Sequence, residues 1–152
     1  MPAPVVTAEL VLDAVKARLD LIVGGPDYNT NPTKAIGIPR DAVPEGAGEK
    51  LYLAHGSSVT QHAEAAPKHA ERATYHIWCL SNDPVNGQRK ALRLVRDVQK
   101  AVRSGFSAIE AAGANTGPSL GDYLRDERAE QITGATVYAL ELTADWTVDL
   151  TT

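Results

Sequence analysis

The four histidines of the chain, His55, His62, His69 and His76, recur at a uniform spacing of seven. Imidazole nitrogens are common metal ligands, so this pattern is the first that could do chemistry. Seven residues make about two helical turns, and a single helix would stack all four rings on one face. Pro67 interrupts such a helix, and in a strand an odd spacing alternates faces, so no single regular element aligns the four. His62-Ala-Glu64 and His69-Ala-Glu71 repeat the His-x-Glu half of a zinc deaminase, whose metal also needs a Pro-Cys-x-x-Cys partner. Cys79 is the only cysteine and cannot supply it. A metal-dependent enzyme built on the His55–His76 set is the lesser alternative, and ordinary surface and strand histidines are the expectation.

Other short patterns fall away on similar grounds. Gly46-Ala-Gly48-Glu-Lys50 lacks the Gly-x-x-x-x-Gly-Lys-Ser/Thr spacing and the following helix of a phosphate loop, and reads as a flexible loop. His55-Gly-Ser-Ser58 sets a hydroxyl near a base without a strained elbow or an orienting acid, and reads as a plain turn. The acids Asp122, Asp126, Glu127 and Glu130 are interspersed with Arg125 and Arg128, which favours a solvated or interfacial surface over a cation site. The sequence predicts no enzyme: no catalytic residue, no metal and no cofactor is assigned.

What must carry function is then the framework of elements. With 152 residues, 43% hydrophobic and 22% charged, the chain has apolar material for one modest core, and a single domain spanning 1–152 is expected. No basic segment followed by a long apolar run opens it, and no stretch reaches the length of a membrane span, so a soluble protein made in the cytoplasm is expected, with no membrane partner. One cysteine excludes an intramolecular disulfide, and Cys79 is expected as a small buried side chain.

Along the chain, a helix is predicted from Thr7 as N-cap, with Leu10, Val11, Ala14, Val15, Leu21 and Ile22 apolar and Gly24-Gly25-Pro26 as its stop. A long Pro/Gly-rich loop at about 24–49 follows, with a short strand at Ala35 to Ile38. Lys50 to His55 reads as a short strand and Ser57 to Lys68 as a polar linker. Glu71 to Leu80 reads as an interior strand, because Ala73, Tyr75, Ile77 and Cys79 alternate with Thr74, His76, Trp78 and Leu80 and both faces carry apolar groups. A Gly-rich segment at Ala111 to Gly121 and a strand over Tyr123 to Ile132 come next. The last segment alternates Tyr138, Leu140, Leu142, Ala144, Trp146, Val148 and Leu150 against Glu141, Thr143, Asp145, Thr147 and Asp149 after a turn at Thr133-Gly134, which makes a half-buried strand. The order predicts an α+β fold: a mostly antiparallel sheet with two main helices packed on one face.

The second helix is the most informative element. Ala91, Leu94, Val95, Val98, Ala101 and Val102 fall at i, i+3, i+4, i+7, i+10 and i+11, an apolar stripe at the 3.6-residue period. Asp83-Pro84 suits its start, Asn86-Gly87 delays that start by a turn, and Gly105 suits its stop. The opposite face carries Arg89, Lys90, Arg93, Arg96, Lys100 and Arg103 against Asp97. Six bases against one acid give plus five, so the rest of the chain carries minus nine to reach the net charge of −4. Aromatic residues are 5% of the chain and none lies on this helix, so a nucleic-acid-binding module is a lesser reading, with no specific nucleic-acid binding expected. From charge alone, Arg89, Arg93, Arg96, Lys100 and Arg103 are the candidate interface residues.

The leading helix from Thr7 to Leu21, Ala73-Thr-Tyr-His-Ile-Trp-Cys-Leu80, Ala91-Leu-Arg-Leu-Val-Arg-Asp-Val98 and Ala135-Thr-Val-Tyr-Ala-Leu-Glu-Leu142, taken in order, resemble the tail terminator, or tail completion, proteins of long-tailed bacteriophages. The pattern also resembles other small proteins of the head-to-tail joint, such as another connector or a minor tail protein. The resemblance spans nearly the whole chain by pattern, without a diagnostic motif, and the loop at 27–49 has no place in it. It implies a structural virion protein of the tail and neck, made in the host cytoplasm. Its partners would be other copies of itself in a ring, commonly homohexameric, the tail tube protein, and a neck or head-to-tail connector protein.

Overall fold

The computed structural model describes residues 3, 5–63, 68–114 and 118–149; the side chains of 61–63 lie outside that description. The elements run α1 (Thr7–Leu19), β1 (Thr33–Ile36), β2 (Glu49–Ala63), β3 (Lys68–Ser81), α2 (Gly87–Arg103), α3 (Phe106–Ala111), β4 (Ser119–Arg125), α4 (Glu127–Thr133) and β5 (Thr136–Asp149). One five-stranded sheet has the order β1-β2-β3-β5-β4. Only β1 runs parallel to its neighbour; the other pairings are antiparallel. This is the α+β class expected from the order of elements, with α1 and α2 as the main helices.

The apolar stripe of α2 makes the core. Ala91, Leu94, Val95, Val98, Ala101 and Val102 are all buried and pack with Val11, Val15, Leu19 and Ile22 of the α1 segment against Leu51, Leu53, Tyr75, Ile77, Leu140 and Leu142 of the sheet. At roughly 1.5 to 3 kcal/mol for each large apolar side chain, this burial outweighs the marginal propensity of an isolated helix of this length. The first helix ends at Leu19, before the expected Leu21 and Ile22, and its inward positions are shifted: Leu10 and, beyond the helix, Leu21 are 45% exposed, while Leu19 is buried. Thr7 is the first helical residue and not the cap, since Val6 holds the N-cap position without a side-chain bond. The Arg18 side chain crosses to α2, where its Nε donates to the Ala101 carbonyl at 2.9 Å and a guanidinium nitrogen to Ser104 Oγ at 3.0 Å, placing a cation at the negative end of that helix. A side chain at Gly105 would collide with this arginine.

Around α2 the second of the two readings of its start holds. Asp83 precedes the helix, its carboxylate accepting from the backbone N–H of Val85 and Asn86 and pairing with Lys90 at 2.7 Å. The Gly105 stop is followed at once by α3, which composition did not suggest and which buries Ile109. Tyr123 to Ile132 divides into two elements. Tyr123–Arg125 complete β4 and Glu127–Thr133 form α4, capped by the Asp126 carboxylate at Ala129 N–H and closed by Gly134 in the left-handed conformation at φ 69°. The helix α4 lies on the sheet face opposite α2, where Ala129, Leu80, Ala135 and Val137 form a second cluster with Val43, Tyr52 and Trp78. The two main helices thus share one face, as expected, and a short third covers part of the other.

Of the polar linker expected at Ser57 to Lys68, Ser57 to Ala63 and Lys68 are instead strand, and residues 64–67 lie outside the described residues. β2 is 15 residues long, and β3 and β5 are 14 each. At about 3.3 Å per residue they reach about 45 Å, against about 25 Å for the 17-residue α2. The sheet therefore outruns its helices, and His55–Thr60 are exposed. In the closing strand Tyr138, Leu140, Leu142, Ala144 and Trp146 are buried as the alternation requires; Leu150 lies outside the described residues, as do 115–117 of the Gly-rich segment.

The short strand expected at Ala35 to Ile38 is displaced to Thr33–Ile36. The loop around it is held at several points, and the strongest is Asp97. Expected on the solvent face of α2, this acid is 2% exposed. Its carboxylate accepts four hydrogen bonds: Asn29 N–H at 3.0 Å, Asn29 Nδ2 at 3.2 Å, Thr30 N–H at 2.8 Å and the Thr30 hydroxyl at 2.6 Å. Farther on, Gly37 N–H bonds the Leu53 carbonyl at 2.8 Å and Val43 N–H the Thr133 carbonyl at 3.0 Å. The loop so passes from the α2 face, around the β1 edge, to α4.

Replacing Asp97 with Ala leaves the buried Thr30 donors and the part-buried Asn29 donors without their acceptor. The expected cost is about 3 kcal/mol in urea unfolding, with faster limited proteolysis within 25–48 than elsewhere in the chain. A second measurement addresses Asp83. Bonds from Asn86 N–H, Lys90 and Val85 N–H lower its carboxyl pKa from 3.8 to about 2. A lowered native pKa stabilises above the unfolded value, and this is lost as pH falls from 3.8 toward 2. The stability gap between wild type and Asp83→Asn should therefore close across that window and be constant above it.

Candidate functional site

The histidines do not come together. Strand alternation puts His69 and His76 on opposite faces of β3. His69 bonds Glu71 at 3.1 Å. His76 rests against Trp78, ring centroids 5.6 Å apart, with Nδ1 3.7 Å from Glu141. His55 meets the edge of the Tyr75 ring at 5.3 Å and lies 2.7 Å from Ser58 Oγ. The side chain of His62 lies outside the described residues. Among the described residues no three His, Cys, Asp or Glu side chains converge as a metal site would require. His55-Gly-Ser-Ser58 is not a turn but strand with a register shift between His55 and Ser57, so Ser58 sits on an exposed strand, not at a strand-to-helix elbow. Gly46 and Gly48 adopt positive φ in the loop before β2, with no helix following. Cys79 is fully buried, and burial, reinforced by the Asp97 charge, raises its thiol pKa well above that of a reactive thiol.

Charge differentiates the surface. With Asp97 turned inward, the outer face of α2 carries six bases and no acid. Two of them have work within the fold. Lys90 is paired with Asp83. Lys100 lies 4.8 Å from the centroid of the Tyr28 ring and donates to the Asp27 carbonyl, so of the five candidates it also holds the loop. Arg89, Arg93, Arg96 and Arg103 are exposed and make no ion pair or side-chain hydrogen bond among the described residues. They form a ridge about 21 Å long at 1.5 Å per residue, and Leu92, 36% exposed, lies on it.

The opposite face of the sheet holds a groove that the spacing of residues did not reveal. Its volume is about 740 Å³, and its walls come from β3, β4, α4 and β5. Trp78 and Ala139 form an apolar floor, Leu124 stands at the rim 70% exposed, and Asp122, Glu127 and Glu141 bring carboxylates. Arg125 also lines it, clasped by the Glu130 carboxylate at 2.6 to 3.2 Å. Asp126 ties the walls together: one oxygen caps α4 and the other accepts from Trp78 Nε1 at 3.1 Å. Of the four acids singled out at Asp122 to Glu130, Asp126 and Glu130 have separate partners, and among the described residues the four do not form a cation site. A smaller cavity of about 330 Å³ shares Trp78 and Asp126 and adds Ile38, Pro39, Arg128, Ala129 and Ile132. The one trace of this groove in the sequence was the run of residues 73–80 with apolar side chains on both faces.

In comparisons with known proteins, no family model and no curated protein matches the chain. Among solved structures, a chain described as "Virion of native gene transfer agent (GTA) particle" is similar at a TM-score of 0.40 and 17% identity, over 93% of this chain and 96% of that one.

Residues that hold the fold and residues free to meet a partner should separate by mutation. Asp126→Ala removes a helix cap and the Trp78 acceptor together, an expected loss of about 2 kcal/mol. Arg89, Arg93, Arg96 and Arg103 replaced singly by Ala should each change unfolding free energy by less than about 0.5 kcal/mol.

Proposed function

We propose that the chain is a structural protein of a phage-type virion, a subunit of a closed ring, commonly of six, that ends a long tail tube and joins it to the neck. The observation that carries this reading is the division of charge between the two faces of the sheet: a ridge of unpaired arginines on α2, and an acidic groove with an apolar floor on the reverse. Unlike surfaces on opposite sides of one molecule suit heterologous contacts, which close into rings when the rotation permits. The order of helix, strands, basic helix and closing strand, on which the resemblance to tail terminator proteins rests, supports the same reading. The long strands that outrun the helices supply surface for a second partner, the tail tube protein on one side or a connector protein of the neck on the other. Assembly, not catalysis, is the role, and the virion is the place; a different connector or a minor tail protein is the nearest alternative within the same class.

The test is electron microscopy and native mass spectrometry of the purified protein, alone and mixed with tail tubes assembled without a terminator. Rings of one defined subunit number, and a cap at one end of each tube, are expected. Protein that stays monomeric and leaves tube ends bare would overturn the assignment.

A further inference from the structure

We infer that the groove floored by Trp78 and Ala139 is the receptor for the α2 ridge of a second copy of this chain, the contact by which neighbouring subunits join; this rests on the ring reading above and gives it a surface. Asp122 and Glu127 have no cation partner among the described residues, and Glu141 there has the His76 imidazole at 3.7 Å. Against Arg125, which Glu130 already clasps, the groove presents Asp122, Asp126, Glu127 and Glu141. On the other face of the sheet, Arg89, Arg93, Arg96 and Arg103 have no carboxylate partner among the described residues. The ridge and the groove thus carry opposite charge, and the sheet between them keeps one from reaching the other within a molecule.

Size and polarity agree with charge. One turn of helix with its side chains, about 10–12 Å across and 5.4 Å high, fills on the order of 500 Å³. A groove of about 740 Å³ therefore takes between one and two turns of ridge. Leu92, Arg93 and Arg96 fall within such a length. Leu92, 36% exposed, would bring apolar surface to Trp78 and to Leu124, which is 70% exposed. The two arginines would bring guanidinium groups to Glu141 and Asp122, where two parallel N–H donors suit a carboxylate. An apolar centre ringed by charge pairs is the usual anatomy of a specific interface.

The experiment uses the full chain with one face altered at a time. The ridge variant is R93E with R96E, and the groove variant is D122K with E141K; circular dichroism and thermal melts confirm that each is folded, and R93A with R96A serves if the reversal disturbs α2. Light scattering and native mass spectrometry should show the concentration for half-assembly raised at least about tenfold in either variant alone. The two mixed in equal amounts should co-assemble beyond a dimer, since the arginine ridge of one meets the acidic groove of the other and the glutamate ridge meets the lysine groove, and all four substitutions in one chain should likewise restore assembly. Wild type that assembles alongside folded variants that assemble equally well overturns this contact and leaves the ring standing. Wild type that remains monomeric alone and with tubes overturns the ring reading itself.

Discussion

A buried carboxylate organises this molecule. Asp97 sits among the apolar residues of α2, without an ion pair among the described residues, and is made tolerable there by four hydrogen bonds from Asn29 and Thr30. A charge taken out of water must be solvated by protein groups, so the loop that supplies those donors has to pass over this point of the helix. From there it lays β1 along the open edge of β2 and brings Val43 to the far face. Turning the one acid of the helix inward also strips the outer face of its only counter-charge. The same interaction that fixes the loop creates the basic ridge.

The sheet separates two chemistries. On one side α1, α2 and α3 cover it and close a continuous apolar core. On the other, among the described residues, α4 and the loop cover it in part, because β4 ends at Arg125 and the seven-residue helix that follows is too short to reach across. Trp78 is left half-covered between two cavities, its indole nitrogen satisfied by Asp126. Beyond the helices the long strands are held by their backbone ladder and by pairs such as Arg72 with Asp145 at 2.7 Å and Lys68 with Asp149 at 3.8 Å. Pairs so exposed contribute little to stability, and they keep the strands polar and in register.

What could be read in advance follows the reach of each physical signal. The stripe of α2 and the alternation of β3 and β5 were legible because a helix or strand that buries one face must repeat at 3.6 or 2 residues. The extension of β2 through Ser57 to Ala63 was not, since strands exposed to water need no alternation and read as linker. The helix α3 is too short to show a period, and the boundary between β4 and α4 depends on one cap, Asp126. Asp97 was misplaced because an acid on an amphipathic helix belongs to the solvent face unless something distant solvates it.

Periodic local order was therefore settled within the chain: the first helix, the stripe of α2 and its concentration of basic charge, and the alternation of β3 and β5, since each rests on neighbours a few residues away. The tertiary structure alone decided that Asp97 turns inward to Thr30, that His55, His69 and His76 each have separate neighbours, and that Trp78, Asp122, Leu124 and Glu141 line one groove behind the arginine ridge. These are contacts between residues far apart in the chain. Their partners are chosen by how the sheet is ordered and which face each element covers, and no spacing within a single segment records that choice.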